Sequence, residues 1–540
     1  MMTFRFIIYL LIAVYAPLLA VPSEAGYQAT FTPRISVNTD YTDNIFSSKE
    51  ERQADYITVI SPGFTAQLLE RTRGMKLSYD LGYSCYDKFV ELNTLRHNSG
   101  LTGWIEFSRH TRLDFKNQFL LTEESVTELQ ETPEEAEDRI SEAEKYIPTR
   151  EDHIAETETV RKTRRYHYTN SASIGVTHRF GKYDLLTVKY LYSILGNEDP
   201  YVEDETSHEP SAGLTWWLIP DELELEAGLA CAREESSGTP DDPYGYWEES
   251  INPSFGLAYW FIPKEFSVET GISYKKGEFS DTLYGPAKWY ESINPSAGLE
   301  YHLKPYKLDI KTDVSYTIGQ FSEPSDDFDN LHGSIQLTKK FTKHLEGNVR
   351  YDHSIMDFKD RDKEDYKVHE PSVGITYVVA EGVPLSFQLG YIMRDRQRSQ
   401  DDAFISLDGD LGKTWNFSRY GSVNLETASG YDESYFGTEK LGFGVYYDAK
   451  CTLKYAFSKY LSANVYGSYR MDKYTDLDTK RDDQTTEVGS GLIYNKKWLS
   501  LKLDYLYRAI NSTSDENDYE ESRIRMKVML APSRPVRLFQ

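Results

Sequence analysis

Residues 307–318 read KLDIKTDVSYTI, residues 499–508 read LSLKLDYLYR and residues 523–530 read RIRMKVML. In the first, Leu308, Ile310, Thr312, Val314, Tyr316 and Ile318 alternate with Lys307, Asp309, Lys311, Asp313, Ser315 and Thr317. Successive side chains of a strand point to opposite faces, so each segment has one apolar and one polar face. Segments 75–85, 222–231, 266–274, 345–351 and 385–391 follow the same rule. The charged faces need water and the apolar faces need shelter from it. A soluble β-sandwich meets both needs over about a hundred residues with strands of about 5–6. Here the pattern persists from near residue 30 to the end, in runs of about 10–14 residues, the length that crosses a bilayer at a tilt. Only a closed barrel spans lipid with strands, because an open edge leaves N–H and C=O groups unpaired. The expected fold is all-β: an antiparallel up-and-down transmembrane barrel of about 24 strands, within a range of about 18–26.

The composition fits this reading. The chain has 540 residues, 39% apolar, 27% charged and 14% aromatic, with a net charge of -26 and 42 tyrosines. That aromatic content argues against disorder, and the acidic balance against nucleic-acid binding. A mean hydropathy of -0.58 excludes helical membrane spans but not a barrel, half of whose strand residues face water. Residues 1–25 have the layout of a secretory signal peptide: a short basic start, the apolar run Phe6–Ala20 and the small-x-small Ser23-Glu24-Ala25. Residues 26–540 are then expected to form one barrel domain in the bacterial outer membrane. Cys85, Cys231 and Cys451 fall in phase with the apolar face and read as small lipid-facing hydrophobes.

Connections alternate in length. Short turns such as Gly181-Lys182, Pro263-Lys264, Ser458-Lys459 and Lys496-Lys497 are flanked by Phe180, Tyr183, Phe341, Trp415, Tyr420, Phe457, Tyr460 and Trp498, the expected interfacial girdle. Longer acidic connections, such as 196–206 and 357–366, alternate with them. Short turns belong on the periplasmic side and long loops outside. The phrases EPSAGLTWWLIP (209–220), NPSFGLAYWFIP (252–263), NPSAGLEYHLKP (294–305) and EPSVGITYVVAE (370–381) recur. Their spacing of about 42 also suits propeller blades, but the strands are too long and the blade signatures are missing. Pro210, Pro253, Pro295 and Pro371 each remove a ladder donor, so bulges are expected there.

The polar face supplies the candidate lumen lining: Glu222, Glu224, Glu226, Asp309, Lys311, Asp313, Arg350, Asp352, Lys502, Asp504, Arg508, Arg523, Arg525 and Lys527. The bland expectation is a solvated wall of mutually paired charges. The functional one is a selectivity lining, and its mixed signs suit a polar polymer or mixed solutes better than one ion. Residues 123–160 break the rhythm and are strongly acidic. By parity this connection is extracellular. It serves as a surface loop, or folds into the mouth and constricts it through Glu134, Glu135, Glu137, Asp138, Glu142 and Glu144. Its clustered carboxylates are of the type that binds Ca²⁺, but EF-hand spacing is missing.

Catalytic signatures are missing: there is no GxSxG, HExxH or phosphate-cradling loop. Arg96-His97-Asn98-Ser99 brings His, Asn and Ser together, but neighbours on a strand point to opposite faces. No enzyme activity and no cofactor are expected. Alternation beginning near residue 30 leaves no room for a plug domain, which argues against a TonB-dependent transporter. Three readings remain: a passive or gated pore, a non-transporting surface barrel such as an adhesin, and a secreted soluble β-repeat protein that binds carbohydrate.

Asp40-Tyr41-Thr42-Asp43-Asn44-Ile45, Tyr56-Ile57-Thr58-Val59-Ile60-Ser61-Pro62-Gly63 and Leu77-Ser78-Tyr79-Asp80-Leu81-Gly82-Tyr83 resemble the opening hairpins of the beta-barrel porin 2 type family. The resemblance is clearest over 31–121 and generic beyond. It implies an outer-membrane barrel, with lipid as its surroundings and, through exosortase and exopolysaccharide gene clusters, polysaccharide and periplasmic export proteins as partners. It carries over no catalytic residues. The chain departs from the usual terminal aromatic: Phe539 is penultimate, and the last strand is expected to stop near Ala531, leaving a short basic tail.

Overall fold

The computed structural model describes residues 28–539, apart from 50–51, 125–163, 240–244, 281–286, 362, 381–382, 412–413, 435–441, 476–480 and 514–517. Its strands, from β1 (Gln28–Thr42) and β2 (Asp55–Leu69) to β24 (Tyr519–Leu530) and the short β25 (Val536–Phe539), join one antiparallel sheet. From β1 to β24 each strand pairs with the next, and β1 pairs with β24 to close the barrel, Ile35 opposite Leu530 and Thr42 opposite Arg523. This is a closed wall of 24 strands. The tail does not hang free: after a break at 531–535, β25 returns to β1, with Arg537 opposite Thr30 and Val536 opposite Phe31. With Ala29 opposite Phe539 as well, three residues of β1 that β24 leaves uncovered gain partners. The strands run 10–16 residues. Among the described residues there is no α-helix, only three single-turn 3₁₀ segments.

Alternation is what the wall needs. In β13 (Leu308–Phe321), Val314 and Tyr316 are exposed on the outer face, while Asp313 lines an interior cavity. The same outer face carries Ile335, Leu337, Val349, Val373, Ile375, Leu389, Leu503 and Met526 on other strands, all exposed. Such a band is unsustainable in water and natural in lipid. Cys85, Cys231 and Cys451 share that face with exposed Tyr83, Leu229 and Leu453.

The short turns end in exposed aromatics, among them Phe107, Phe180, Tyr183, Phe261, Tyr306, Phe341, Tyr420, Phe457 and Trp498. Turn cations lie over several of them: Lys182 is 4.4 Å from the Tyr183 ring centroid and Lys459 is 4.7 Å from that of Tyr460. The ring sits at the interface while the cation reaches for water. Asp221, Lys264, Lys307 and Lys497 take positive φ in these turns, from 49° to 62°.

The prolines do not make bulges. Pro210, Pro253, Pro295 and Pro371 stay in register with Tyr190, Leu229, Ile272 and Tyr351 on the preceding strand. Towards the following strand the ladder skips the proline and resumes in the same register, as from His208–Arg233 to Ser211–Ala230. A missing donor removes a rung without adding a residue, so nothing forces a shift. The bulges fall at the turn end of three phrases, at Trp217/Ile219, Trp260/Ile262 and Val378/Ala380.

Candidate functional site: the lumen

The inner face has three regions. In the turn-side half, Glu224 and Glu226 on β9 (Leu223–Ser236), Glu269 on β11 (Phe266–Ser280) and Asp313 border a cavity of about 380 Å³ with His332. No ion pair joins these four carboxylates to a cation among the described residues, so they form a negative patch. Glu222 is not part of it. It sits in the turn, where its N–H donates to Ile219 O at 3.1 Å, because β9 begins only at Leu223. Phase alone cannot show where a strand starts.

Most other predicted charges are paired. Asp309 accepts from His302 Nδ1 at 2.9 Å and stands 3.5 Å from Lys340 Nζ. Arg350 grips Asp352 with two bonds of 2.7 Å. Lys502 is 3.5 Å from Asp504, Arg508 Nε donates to Glu487 at 2.6 Å, and Arg523 Nε is 3.3 Å from Glu521. Arg525 Nε donates to Asp40 at 3.0 Å. Lys311 stands opposite Glu300 and Gln336 on its flanking strands, and Lys527 opposite Asn38 and Lys502. These wall charges are thus of both signs and largely paired with one another.

At the loop side, from β1 to β6 (His167–Arg179) and from β22 (Arg481–Lys496) to β24, the interior is packed with buried charge. Arg96 on β4 (Thr94–Glu106) donates to Glu123 at 3.0 Å and to Glu124 at 2.5 Å. Tyr86 Oη donates to Glu123 at 2.7 Å, and Arg164 reaches both Tyr86 Oη and Ile45 O at 3.3 Å. Burial pushes the Glu124 carboxyl up, but Arg96, Arg525, Arg164 and Arg523 outweigh it and hold the group below the ordinary range. The two residues flanking 125–163 that can be described are thus anchored inside the mouth. The constriction candidates Glu134, Glu135, Glu137, Asp138, Glu142 and Glu144 lie outside the described residues, as do residues 1–25.

On the opposite side, from β11 to β17 (Val383–Arg396), the loop end carries an apolar belt that the sequence reading missed. Phe279, Tyr290, Phe321, Phe328, Met356, Tyr366, Val368 and Ile392 form a buried cluster. Ring follows ring, Phe321 to Phe328 at 6.2 Å, Phe328 to Phe358 at 6.4 Å and Phe358 to Tyr366 at 6.3 Å. Gly277 and Gly319 stand directly opposite Tyr290 and Phe328, and a Cβ at either would collide with the ring. The signal was available: these aromatics occupy polar-face phase at strand tops. The rings are buried, so they act as a core and not as stacking platforms for a solute. His97 bonds Tyr79 Oη at 2.9 Å while its neighbour Arg96 bonds Glu123, so the His–Asn–Ser run does not converge.

A family model described as Putative beta-barrel porin 2 matches residues 25–146 and 387–531. The chain matches an outer-membrane porin family. The first matched segment holds the opening hairpins that carry the resemblance. The second extends it to the closing strands, where the sequence reading saw only generic features. The porin family is not an enzyme family, and match and fold together imply the bacterial outer membrane. None of the curated proteins compared with the chain matches it. Among solved structures, a mutant of the ferric enterobactin receptor PfeA from Pseudomonas aeruginosa is similar at 9% identity, with a TM-score of 0.51 over 93% of this chain and 80% of that one. The FrpB iron transporter from Neisseria meningitidis is similar at 10% identity, with a TM-score of 0.50 over 93% and 81%. At such identities the likeness is one of fold alone.

Proposed function

We propose that the protein is a diffusion pore for polar solutes, and that its preferred solutes are polyhydroxylated, such as segments of a polysaccharide. The observation that carries this is the inner face of the closed wall. It combines paired charges of both signs with hydroxyls and amides, such as Ser334, Gln336, Thr338, Ser372 and Gln388, in place of a ring of one sign. Hydroxyl and amide groups exchange hydrogen bonds with a sugar at little net cost, whereas a single-sign lining would favour one ion. Periplasmic export proteins would deliver such a polymer at the short-turn end. Liposome swelling tests the reading: vesicles carrying the folded barrel should swell in neutral oligosaccharides faster than empty vesicles. Equal rates would exclude passage of that class.

A further inference from the structure

Wall strands elsewhere pair along most of their length; β19 (Gly421–Ser434) and β20 (Gly442–Ala456) do so from Gly421–Tyr455 to Ser434–Gly442. Between β18 (Asp402–Leu411) and β19 the ladder holds only Gly409 opposite Thr427 and Asp410 opposite Glu426. Just beyond, side chains replace rungs: Leu407 N–H donates to Ser429 Oγ at 2.5 Å and Ser429 N–H to Asp408 Oδ1 at 2.7 Å. From there the β19–β20 edge leaves the wall. In its lower half, Leu453 and Tyr455 are exposed on the outer face. In its upper half, Phe443 and Val445, on the same face of the same strand, are buried at 0% and 2%. Their partners, Val368 on β16 (Tyr366–Ala380) and Ile392 on β17 (Val383–Arg396), belong to the inner face. One face of a strand can lie on both sides of a wall only if the strand crosses it. The edge has curled into the lumen.

We propose that this edge is a gate with two positions, of which the structure shows the inner one. In the outer position the existing register would continue, placing Leu407 opposite Ser429 and Ile405 opposite Tyr431. Tyr431, Phe443, Val445 and Tyr447 would then join the lipid-facing row, the phase their sequence already gives them. Opposing terms of similar kind make the element bistable. Inward, an apolar face packs against the belt; outward, it meets lipid and the ladder regains its rungs, which an edge in a bilayer otherwise lacks. Arg394 holds the inner position. Its guanidinium lies 4.3 Å from the Tyr366 ring centroid and 4.2 Å from that of Phe443, and Nη1 donates to Thr475 Oγ1 at 3.0 Å. Beneath the edge lies a cavity of about 420 Å³ bordered by Arg350, Glu370, Gln388, Asp408, Tyr431 and Tyr446, which outward movement would merge with the lumen.

The test is disulfide trapping combined with conductance. With the three native cysteines changed to serine, Ile405→Cys and Tyr431→Cys are introduced together and the barrel is reconstituted. In the inner position these side chains lie on opposite sides of the wall. Mild oxidation should nevertheless join them, and in a conducting barrel should raise single-channel conductance, reversibly on reduction. Two thiols that both react with a maleimide yet never pair would overturn the proposal, as would pairing that leaves the conductance of a conducting barrel unchanged. The second readout rests on the pore reading and the first does not: pairing in a barrel that never conducts supports the two positions and contradicts the pore. Arg394→Ala should independently increase the time spent in the higher conductance level, and unchanged occupancy would refute its role as the holding residue.

Discussion

Arg525→Ala tests what holds the barrel shut. β1 and β24 pair over eight positions, from Ile35–Leu530 to Thr42–Arg523, where β1 and β2 pair over fifteen, from Gln28–Leu69 to Thr42–Asp55. Side chains make up the difference. Thr42 Oγ1 donates to Glu521 at 2.7 Å, Asn44 Nδ2 to Glu520 O at 2.8 Å, Ser522 N–H to Asp43 at 2.7 Å, and Arg525 Nε to Asp40 at 3.0 Å. The Asp40 side chain is 4% exposed and that of Arg525 is 27%. Removing the guanidinium leaves a nearly buried carboxylate whose other side-chain donor is Asn38 Nδ2 at 3.3 Å. Stranding one partner of a buried pair costs about 3–5 kcal/mol, and the partial exposure of Arg525 places the loss near the lower end, about 3 kcal/mol. That is roughly a hundredfold in the folding equilibrium. Adding Asp40→Asn should recover about 1 kcal/mol or more, because the stranded charge disappears. Urea unfolding in lipid vesicles, followed by tryptophan fluorescence, reads both quantities. A single-variant loss under about 0.5 kcal/mol, the range of ordinary surface substitutions, would refute the reasoning, as would a double variant that loses the sum of the two singles.

The two faces should respond oppositely to charge: Val314→Lys, on the outer face at mid-strand, should cost about 2–4 kcal/mol, whereas Ser315→Lys should cost under about 1 kcal/mol in the same unfolding assay. Neutralising the negative patch with Glu224→Gln, Glu226→Gln and Asp313→Asn should lower the cation-to-anion permeability ratio, read as a shift of reversal potential across a potassium chloride gradient. The loops 357–366 and 396–402 are clasped by Glu364, which accepts from Ser399 N–H and Oγ at 2.6 Å each and from Arg398 N–H. Burial is the largest single influence on Glu364 and raises its pKa, but the Ser399 and Arg398 donors and Arg396 together outweigh it and lower it overall. The clasp should therefore be present above the ordinary carboxylate value of about 4 and be lost as pH falls through the lowered value. Protection of 396–402 from proteolysis by an acid-active protease should fall over that range in the parent and stay low throughout in Glu364→Gln.

Strand alternation made most of the wall legible, because a period of two decides which residues share a face and lipid decides which face is apolar. KLDIKTDVSYTI and its counterparts could not have been anything but two-faced strands, and their number follows from their lengths. Alternation does not say where a strand begins, so Glu222 read as lumen and is in a turn. It also does not say on which side of the wall a face lies. Phe443 and Val445 carry the lipid-facing phase of Leu453 and Tyr455, yet they are buried inside because their edge has crossed between β18 and β19. The proline expectation failed for a similar reason: a lost donor was mistaken for an added residue. The buried charge around Arg96, Glu123 and Arg164 depends on contacts far apart in sequence, such as Arg164 to Ile45 O, that no local pattern encodes.

The proposed function requires the barrel to be a pore. Purified, folded protein in a planar bilayer should produce discrete conductance steps with both ion signs carrying current, as a lumen of mixed and mostly paired charge requires. A barrel shown to be folded by its resistance to detergent at room temperature, yet passing no current in repeated insertions, would contradict it.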